Sequence, residues 1–308
     1  MIYEINPNIS INETLSKMKD YDTLLLNDGI YNEKVHLINN NIIVKAKNPN
    51  KAIIQNNDYY HKIMADGNEC NTFRTYTFYV GGNNVTLDGL HIKNLSTPSK
   101  IYGQAVSLHV DGNRFLCKNT IIESAQDTLF TGPLPNDLIE RYSGFHSKDI
   151  LKNKHSHQVY DGCTIIGDVD YIFGGATAFF IKCKLITIDN NSKHQAFITA
   201  PSHDSIIPFG YLFYKCQIKN NKPTFLSRPW RDFGCVAFID NEIDNNIIPE
   251  GFDKWNNTNR DKTARFFEYT SGADLSKRAK WVTQLDSTNK DKYLSDFLKY
   301  INYDEWAK

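Results

Sequence analysis

One six-residue phrase recurs through the middle of this chain and restricts what it can fold into. It runs apolar, two others, small or polar, one other, aliphatic, as in Leu87-Asp88-Gly89-Leu90-His91-Ile92. Further copies stand at 116–121, 160–165, 180–185, 213–218 and 238–243. Irregular gaps between copies, filled by polar loops, suit a solenoid whose coils stack on one another. The expectation is an all-β fold, a single-stranded right-handed parallel β-helix. An antiparallel sandwich would also supply many short strands, but these should alternate apolar and polar more cleanly. Equivalent residues of successive coils would lie about 4.8 Å apart and form internal ladders. In this register Cys163, Cys183 and Cys216 share one position with Asn119 and Asn241, so thiols and amides are expected to line up in the core.

A solenoid must close its ends. Residues 9–18 read as a short amphipathic helix, with Ile11, Leu15 and Met18 on one side and Ser10 or Asn12 as its cap. Residues 23–26 read as a buried strand ended by Asn27-Asp28-Gly29. Near the C-terminus, 275–281 and 293–298 read as short helices packed on the stack. No Gly/Ser- or Pro-rich linker divides the 308 residues, so the whole chain reads as one domain. Six cysteines in a chain of this size are too sparse for a disulfide framework and are expected as free, buried thiols.

Charge narrows the partners. Lys+Arg and Asp+Glu both number 35, with no basic cluster of the kind nucleic acid requires. No apolar run approaches membrane-spanning length. The N-terminus lacks the basic and apolar regions of a secretory signal, so the expected location is cytoplasmic, the alternative being a secreted protein whose signal is already gone.

The chemistry centres on Gly167-Asp168-Val169-Asp170-Tyr171-Ile172-Phe173-Gly174-Gly175. Asp is a poor strand residue, so carboxylates leading an apolar run need a reason. Turn chemistry is one. The company of Gln104-Ala105-Val106, Gln126-Asp127-Thr128-Leu129 and Arg228-Pro229-Trp230 suggests another. Two carboxylates, two amides, a guanidinium and an indole suit acyl chemistry on a sugar.

From about residue 28 to 273 these motifs resemble, in order, those of the pectin methylesterases, carbohydrate esterases with a parallel β-helix fold. Asp28-Gly29-Ile30-Tyr31-Asn32-Glu33 is similar to the family's opening Gly-x-Tyr-x-Glu, and Thr72-Phe73-Arg74-Thr75-Tyr76-Thr77-Phe78 to the segment before its second coil. Gln104-Ala105-Val106-Ser107-Leu108 departs only at Ser107, and Gln126-Asp127-Thr128-Leu129 is the full tetrad, followed by Phe130 where Tyr is common. Asp170-Tyr171-Ile172-Phe173-Gly174 exchanges one aromatic, Leu226-Ser227-Arg228-Pro229-Trp230 puts Ser227 for Gly, and Pro249-Glu250-Gly251-Phe252 puts Phe252 for Trp. The resemblance implies Asp170 as nucleophile, Asp127 as general acid and base, Gln104 and Gln126 as oxyanion stabilisers, and Arg228 as the partner of Asp170. It implies a methyl-esterified galacturonan or oligogalacturonide as substrate, handled by a monomer with no cofactor and no metal.

The physical chemistry fits that division. A carboxylate attacks an ester if it is ionised and aimed, and a forked Arg partner does both. Amide NH2 groups stabilise the resulting oxyanion without titrating. The second Asp must hold a proton for departing methanol, so its surroundings must raise its pKa. Trp230 is expected to stack on a sugar ring, with Phe173 and Phe73 beside it and Val169 lining the ester pocket. Tyr31 and Glu33 read as structural. His146, His155, His157, His194 and His203 lack a Gly-x-Ser-x-Gly nucleophile to serve, and a metal site at His155 and His157 competes with simple solvation. Residues 136–158, rich in charge, read as an inserted loop beside the cleft that restricts the enzyme to short oligogalacturonides. Rival readings are a β-helix pectate lyase or polygalacturonase, an esterase for another sugar ester, and a non-catalytic carbohydrate-binding β-helix.

Overall fold

The computed structural model describes residues 1–142, 155–190 and 195–307. Each coil contributes one short strand to each of three parallel sheets, which among the described residues hold 11, 8 and 7 strands. One coil runs Phe115–Lys118, Ile121–Glu123 and Leu129–Thr131; the next runs His157–Asp161, Thr164–Gly167 and Ile172–Gly174. The chain is a parallel β-helix, as the repeat predicts.

The repeated phrase is the corner between the first two sheets. Its central residue takes a left-handed conformation in coil after coil: Gly89 at φ 66°, Asn119 at 48°, Gly162 at 63°, Lys182 at 51°, Lys215 at 54° and Asp240 at 53°. The expected register is one residue off in the second copy. Cys117 pairs with Leu87 on one side and Tyr160 on the other, so that copy spans 117–122. Thr120, not Asn119, therefore shares the cysteine position. The error has a physical source: Leu116 is apolar because it packs outward, with Val159, Phe179 and Leu212, rather than into the core.

The expected ladder is present. Cys163, Cys183 and Cys216 each donate an S–H to the carbonyl one coil back, of Cys117, Tyr160 and Phe180, at 3.3, 3.2 and 3.3 Å. Asn241 continues the row with Nδ2 donating to Phe213 O at 3.0 Å. Beside it Tyr160, Phe180, Phe213 and Phe238 stack with centroids 4.7, 4.4 and 4.7 Å apart and planes within 10°. All six cysteines are free and buried.

The ends close differently from each other. The N-terminal helix spans only Ile11–Leu15, capped by Ser10, and buries Ile11 and Leu15 over the first coil. The Glu33 carboxylate accepts from Ile11 N at 2.7 Å and Asn12 N at 3.0 Å, satisfying donors that a helix N-terminus leaves free. Tyr31 OH donates to the carbonyls of Ile5 and Asn27, so both residues are structural. At the other end, the helix expected at 275–281 does not form. That segment is held by cross-links: Arg278 forks onto the buried Glu268 carboxylate at 2.8 and 3.1 Å, and Ala279 N donates to Glu250 O. Phe252 and Trp281 then cover Phe266. The second expected helix is real and longer, Ser287–Tyr300, and lies along the outer face of the first sheet, where Phe297 meets Phe179 and Phe209.

Residues 136–158 are not all loop. Asn136–Arg141 is a short helix whose Leu138 packs on Phe73, Phe130 and Phe173, and His157 opens a strand. The remainder of that expected insertion, 143–154, lies outside the described residues, as do His146 and His194.

Candidate active site

Two carboxylates stand at one register position of adjacent coils. Leu129 pairs with Ile172, and Asp127 and Asp170 each sit two residues ahead. Both have left-handed backbone, φ 63° and 48°, a conformation Asp tolerates better than most residues but still at some strain. Asp127 N donates to Val169 O at 3.0 Å, which ties the two turns together. Gly174 closes the motif because nothing else fits: at φ 128°, an added Cβ would lie 2.0 Å from Thr131 O.

Both carboxylates open onto a cleft of about 590 Å³ that also receives Gln104, Gln126, Phe73, Phe173, Arg228 and Trp230. Gln104 and Gln126 meet through a parallel bridge, with Ala105 N donating to Gln126 O at 3.1 Å. Eight of the nine site residues read from sequence thus line one cavity. Val169 is set elsewhere: it packs with Phe197, Phe225 and Ile248 and is absent from the cleft lining. As Asp170 turns into the cleft, its immediate neighbour is directed to the other side.

Arg228 follows the strand Thr224–Ser227 and forks onto Asp170, Nε to Oδ1 at 2.8 Å and Nη2 to Oδ2 at 2.6 Å. Its guanidinium lies between the rings of Phe197 and Trp255, at 3.8 and 4.1 Å from their centroids. Such a sandwich leaves the group little freedom except to face Asp170.

The carboxylates differ in their surroundings. Burial pushes Asp127 well above the usual carboxylate range, and the negative charge of Asp170 adds to it. Burial raises Asp170 as well, but the charge of Arg228 and its two hydrogen bonds pull it back. Asp127 is therefore the better proton holder and Asp170 the better anion.

An aromatic column runs along the outer face of the third sheet and reaches the cleft at Phe173. His36, Tyr79, His109, Phe130 and Phe173 follow one another strand by strand with centroids 4.7, 5.0, 4.6 and 4.9 Å apart, the first pair stacked and the rest edge-on or tilted. Phe73 covers Phe130 at 5.1 Å, and Trp230 meets Phe173 edge-on at 5.7 Å. Of the departures from the family pattern, none lines the cleft. Ser107 Oγ donates to Glu123 O and Ser227 Oγ to Thr199 O, both buried, while Phe252 closes the core's far end. His203 is structural: Nδ1 accepts from Cys235 N, Nε2 donates to Ala176 O, and burial lowers its pKa to about 3. His155 bonds to Tyr300 OH at 2.8 Å.

A family model described as pectinesterase matches residues 6–133 and 139–300. The chain belongs to that family. A pectinesterase of Petunia integrifolia is 29% identical over 276 residues, covering 84% of this chain and 65% of its own length, so the chain spans just under two thirds of that relative. The pectin methylesterase from Yersinia enterocolitica has the same fold, with TM-score 0.77 at 22% identity over 97% of this chain and 99% of its own. A pectin methylesterase crystallised in complex with a hexasaccharide gives TM-score 0.74 at 22% identity, over 94% and 92% of the two chains.

Several residues of this site escape a sequence reading. Phe197 stands two residues ahead of Thr199, which pairs with Ile172, so the column Asp127, Asp170, Phe197 was implicit in the register. Trp255 carries no such signal; it returns on a loop after the last full coil, its N–H held by Asp253 Oδ1 at 2.7 Å. Arg231 and Arg260 also reach the cleft, Arg231 paired with Asp137 of the short helix at 2.9 Å.

Proposed function

We propose that the protein hydrolyses methyl esters of galacturonate units, releasing methanol and free carboxylates through an aspartyl acyl-enzyme. The observation that carries this reading is the unequal carboxylate pair. Asp170 is forked to Arg228 and Asp127 is not, and both face the cavity that receives two glutamine side chains.

In this reading Asp170 Oδ attacks the ester carbonyl carbon. The carbonyl oxygen becomes an oxyanion that the NH2 groups of Gln104 and Gln126 stabilise. Collapse of the tetrahedral intermediate breaks the C–O bond to methoxide, which takes its proton from Asp127 and leaves as methanol. The product is an anhydride between Asp170 and the sugar carboxyl. Asp127, now a base, removes a proton from water; hydroxide adds to the anhydride carbonyl, and Asp170 departs as carboxylate to its Arg228 partner. Arg141, Arg228, Arg231 and Arg260 all border the cleft, the last three paired with Asp170, Asp137 and Asp232, and they offer guanidinium groups to a polyanionic sugar chain. The oligosaccharide bound by the related crystal structure is consistent with such a substrate.

The test is methanol release from methylated oligogalacturonides by wild type and by Asp170→Asn, each with and without EDTA. Release that persists in EDTA and falls at least 10³-fold in the variant, in the range of a lost covalent nucleophile, is the expected result. Chain scission without methanol, or equal release by both proteins, overturns the reading.

A further inference from the structure

Asp168 is a third carboxylate beside the pair, and nothing in the mechanism above uses it. It is wholly inaccessible to solvent. Its Oδ2 accepts from Ser99 Oγ and from Asn190 Nδ2 at 3.2 Å, while Oδ1 meets no hydrogen-bond donor among the described residues. A buried carboxylate oxygen left in that state costs stability, which calls for a reason.

Its contacts supply one. The Asp168 side chain holds Ser99, at the start of the short helix Ser99–Tyr102 that leads directly into Gln104. Its N–H donates at 3.0 Å to Ala125 O, at the head of Gln126-Asp127. Its carbonyl accepts at 3.2 Å from Phe197 N, whose ring lies under Arg228. Asp170 follows two residues later. One residue therefore touches the segments that carry four of the five proposed reacting groups, and reaches the fifth, Arg228, through the Phe197 ring.

We infer that Asp168 is a positioning residue for this reaction, tying the Gln104 segment to the Asp170 strand and setting a third carboxylate against the Asp127–Asp170 pair. The inference rests on the esterase reading above. It has two separable parts, a tether and a charge. The charged groups acting on Asp127 are Asp170, Arg228 and Asp168, and those acting on Asp170 are Arg228, Asp168 and Asp253. Asp168 raises the pKa of both members of the pair. Removing its charge lets Asp127 lose its proton, and Asp170 ionise, at lower pH. Both limbs of the pH–rate profile then move toward acid.

Asp168→Asn keeps the shape and the acceptor for Ser99 but removes the charge; Ser99→Ala cuts the tether and keeps the charge. Methanol release is followed against pH for wild type and both variants, alongside the titration of the Asp127 carboxyl by 13C NMR of Asp-labelled protein. Asp168→Asn is expected to move both limbs, and the Asp127 titration, to lower pH. Ser99→Ala is expected to leave the limbs in place and lower kcat by roughly 10- to 100-fold with KM within about twofold, as a misplaced oxyanion donor does. An unmoved profile and titration in Asp168→Asn, with full kcat in Ser99→Ala, overturns the inference. If Asp168→Asn does not fold, Ser99→Ala decides, and full kcat overturns it. If wild type releases no methanol, the esterase reading fails by itself. The NMR titration then judges Asp168 alone, a shift supporting its action on Asp127 and no shift refuting it.

Discussion

Replacing Arg228 by alanine should strand Asp170, and the size of the effect follows from the geometry. The wild-type carboxylate, 7% exposed, accepts two charge-assisted hydrogen bonds at 2.8 and 2.6 Å from a guanidinium clamped between two rings. Removing one partner of a buried ion pair typically costs about 3–5 kcal/mol, because the other charge stays behind in a dry site. The loss should depend on pH. In wild type, Arg228 offsets much of the rise that burial imposes on Asp170; in Arg228→Ala that offset is gone and the folded-state pKa climbs further above the roughly 3.9 of an unfolded Asp. A group whose folded pKa is raised stabilises below its unfolded pKa, and that contribution fades as pH rises through the folded value. Urea midpoints should therefore show the largest deficit near pH 7.5. Near pH 4.5 the deficit should shrink toward the two lost ring contacts, about 1–2 kcal/mol. Activity at neutral pH should collapse at the same time, since a protonated Asp170 is no nucleophile. A stability deficit of equal size at both pH values would refute the claim that Arg228 acts by charge on a buried carboxylate, and would recast it as a packing residue.

Two further outcomes follow from the core. Phe213→Ala breaks the stack between Phe180 and Phe238, and should cost about 3–5 kcal/mol by urea denaturation without changing the pH profile of whatever activity remains. With all six cysteines buried, and burial pushing Cys70 up to about 11, a thiol reagent at pH 8 should find almost no reactive group in the folded protein and six in denaturant.

The solenoid was readable because its corners repeat a requirement that few residues meet easily. Each coil must turn left-handed at one position and bury an apolar residue on either side, so the phrase survives wide changes in the loops between. Reading failed where a residue was apolar for a second reason. Leu116 faces the outer cluster flanking the C-terminal helix, and counting it as core shifted one copy by a residue. The absent helix at 275–281 is a tertiary override: Arg278 has good helix propensity, yet its guanidinium is engaged by Glu268 and by Pro249 O.

For the site, the motifs picked out most of the residues that line the cleft, but not the groups that hold them. Asp127, Asp170 and Arg228 sit in short motifs because each leads or ends a strand of the same sheet, so sequence neighbours carry the backbone geometry with them. Trp255 and Phe197 come from different parts of the chain and meet only around the Arg228 guanidinium. Ser99 and Asp168, 69 residues apart, meet only through the stacking of coils. Asp168 was visible in the motif but could not be told from a turn former. What separates those readings is three-dimensional: a turn-forming Asp sits at the surface with both oxygens satisfied, whereas this one is sealed inside with one oxygen unpaired among the described residues. A stack of coils tolerates such a defect when the rigidity around it is distributed over many ladder contacts, and the strained backbone of Asp127 and Asp170 draws on the same support.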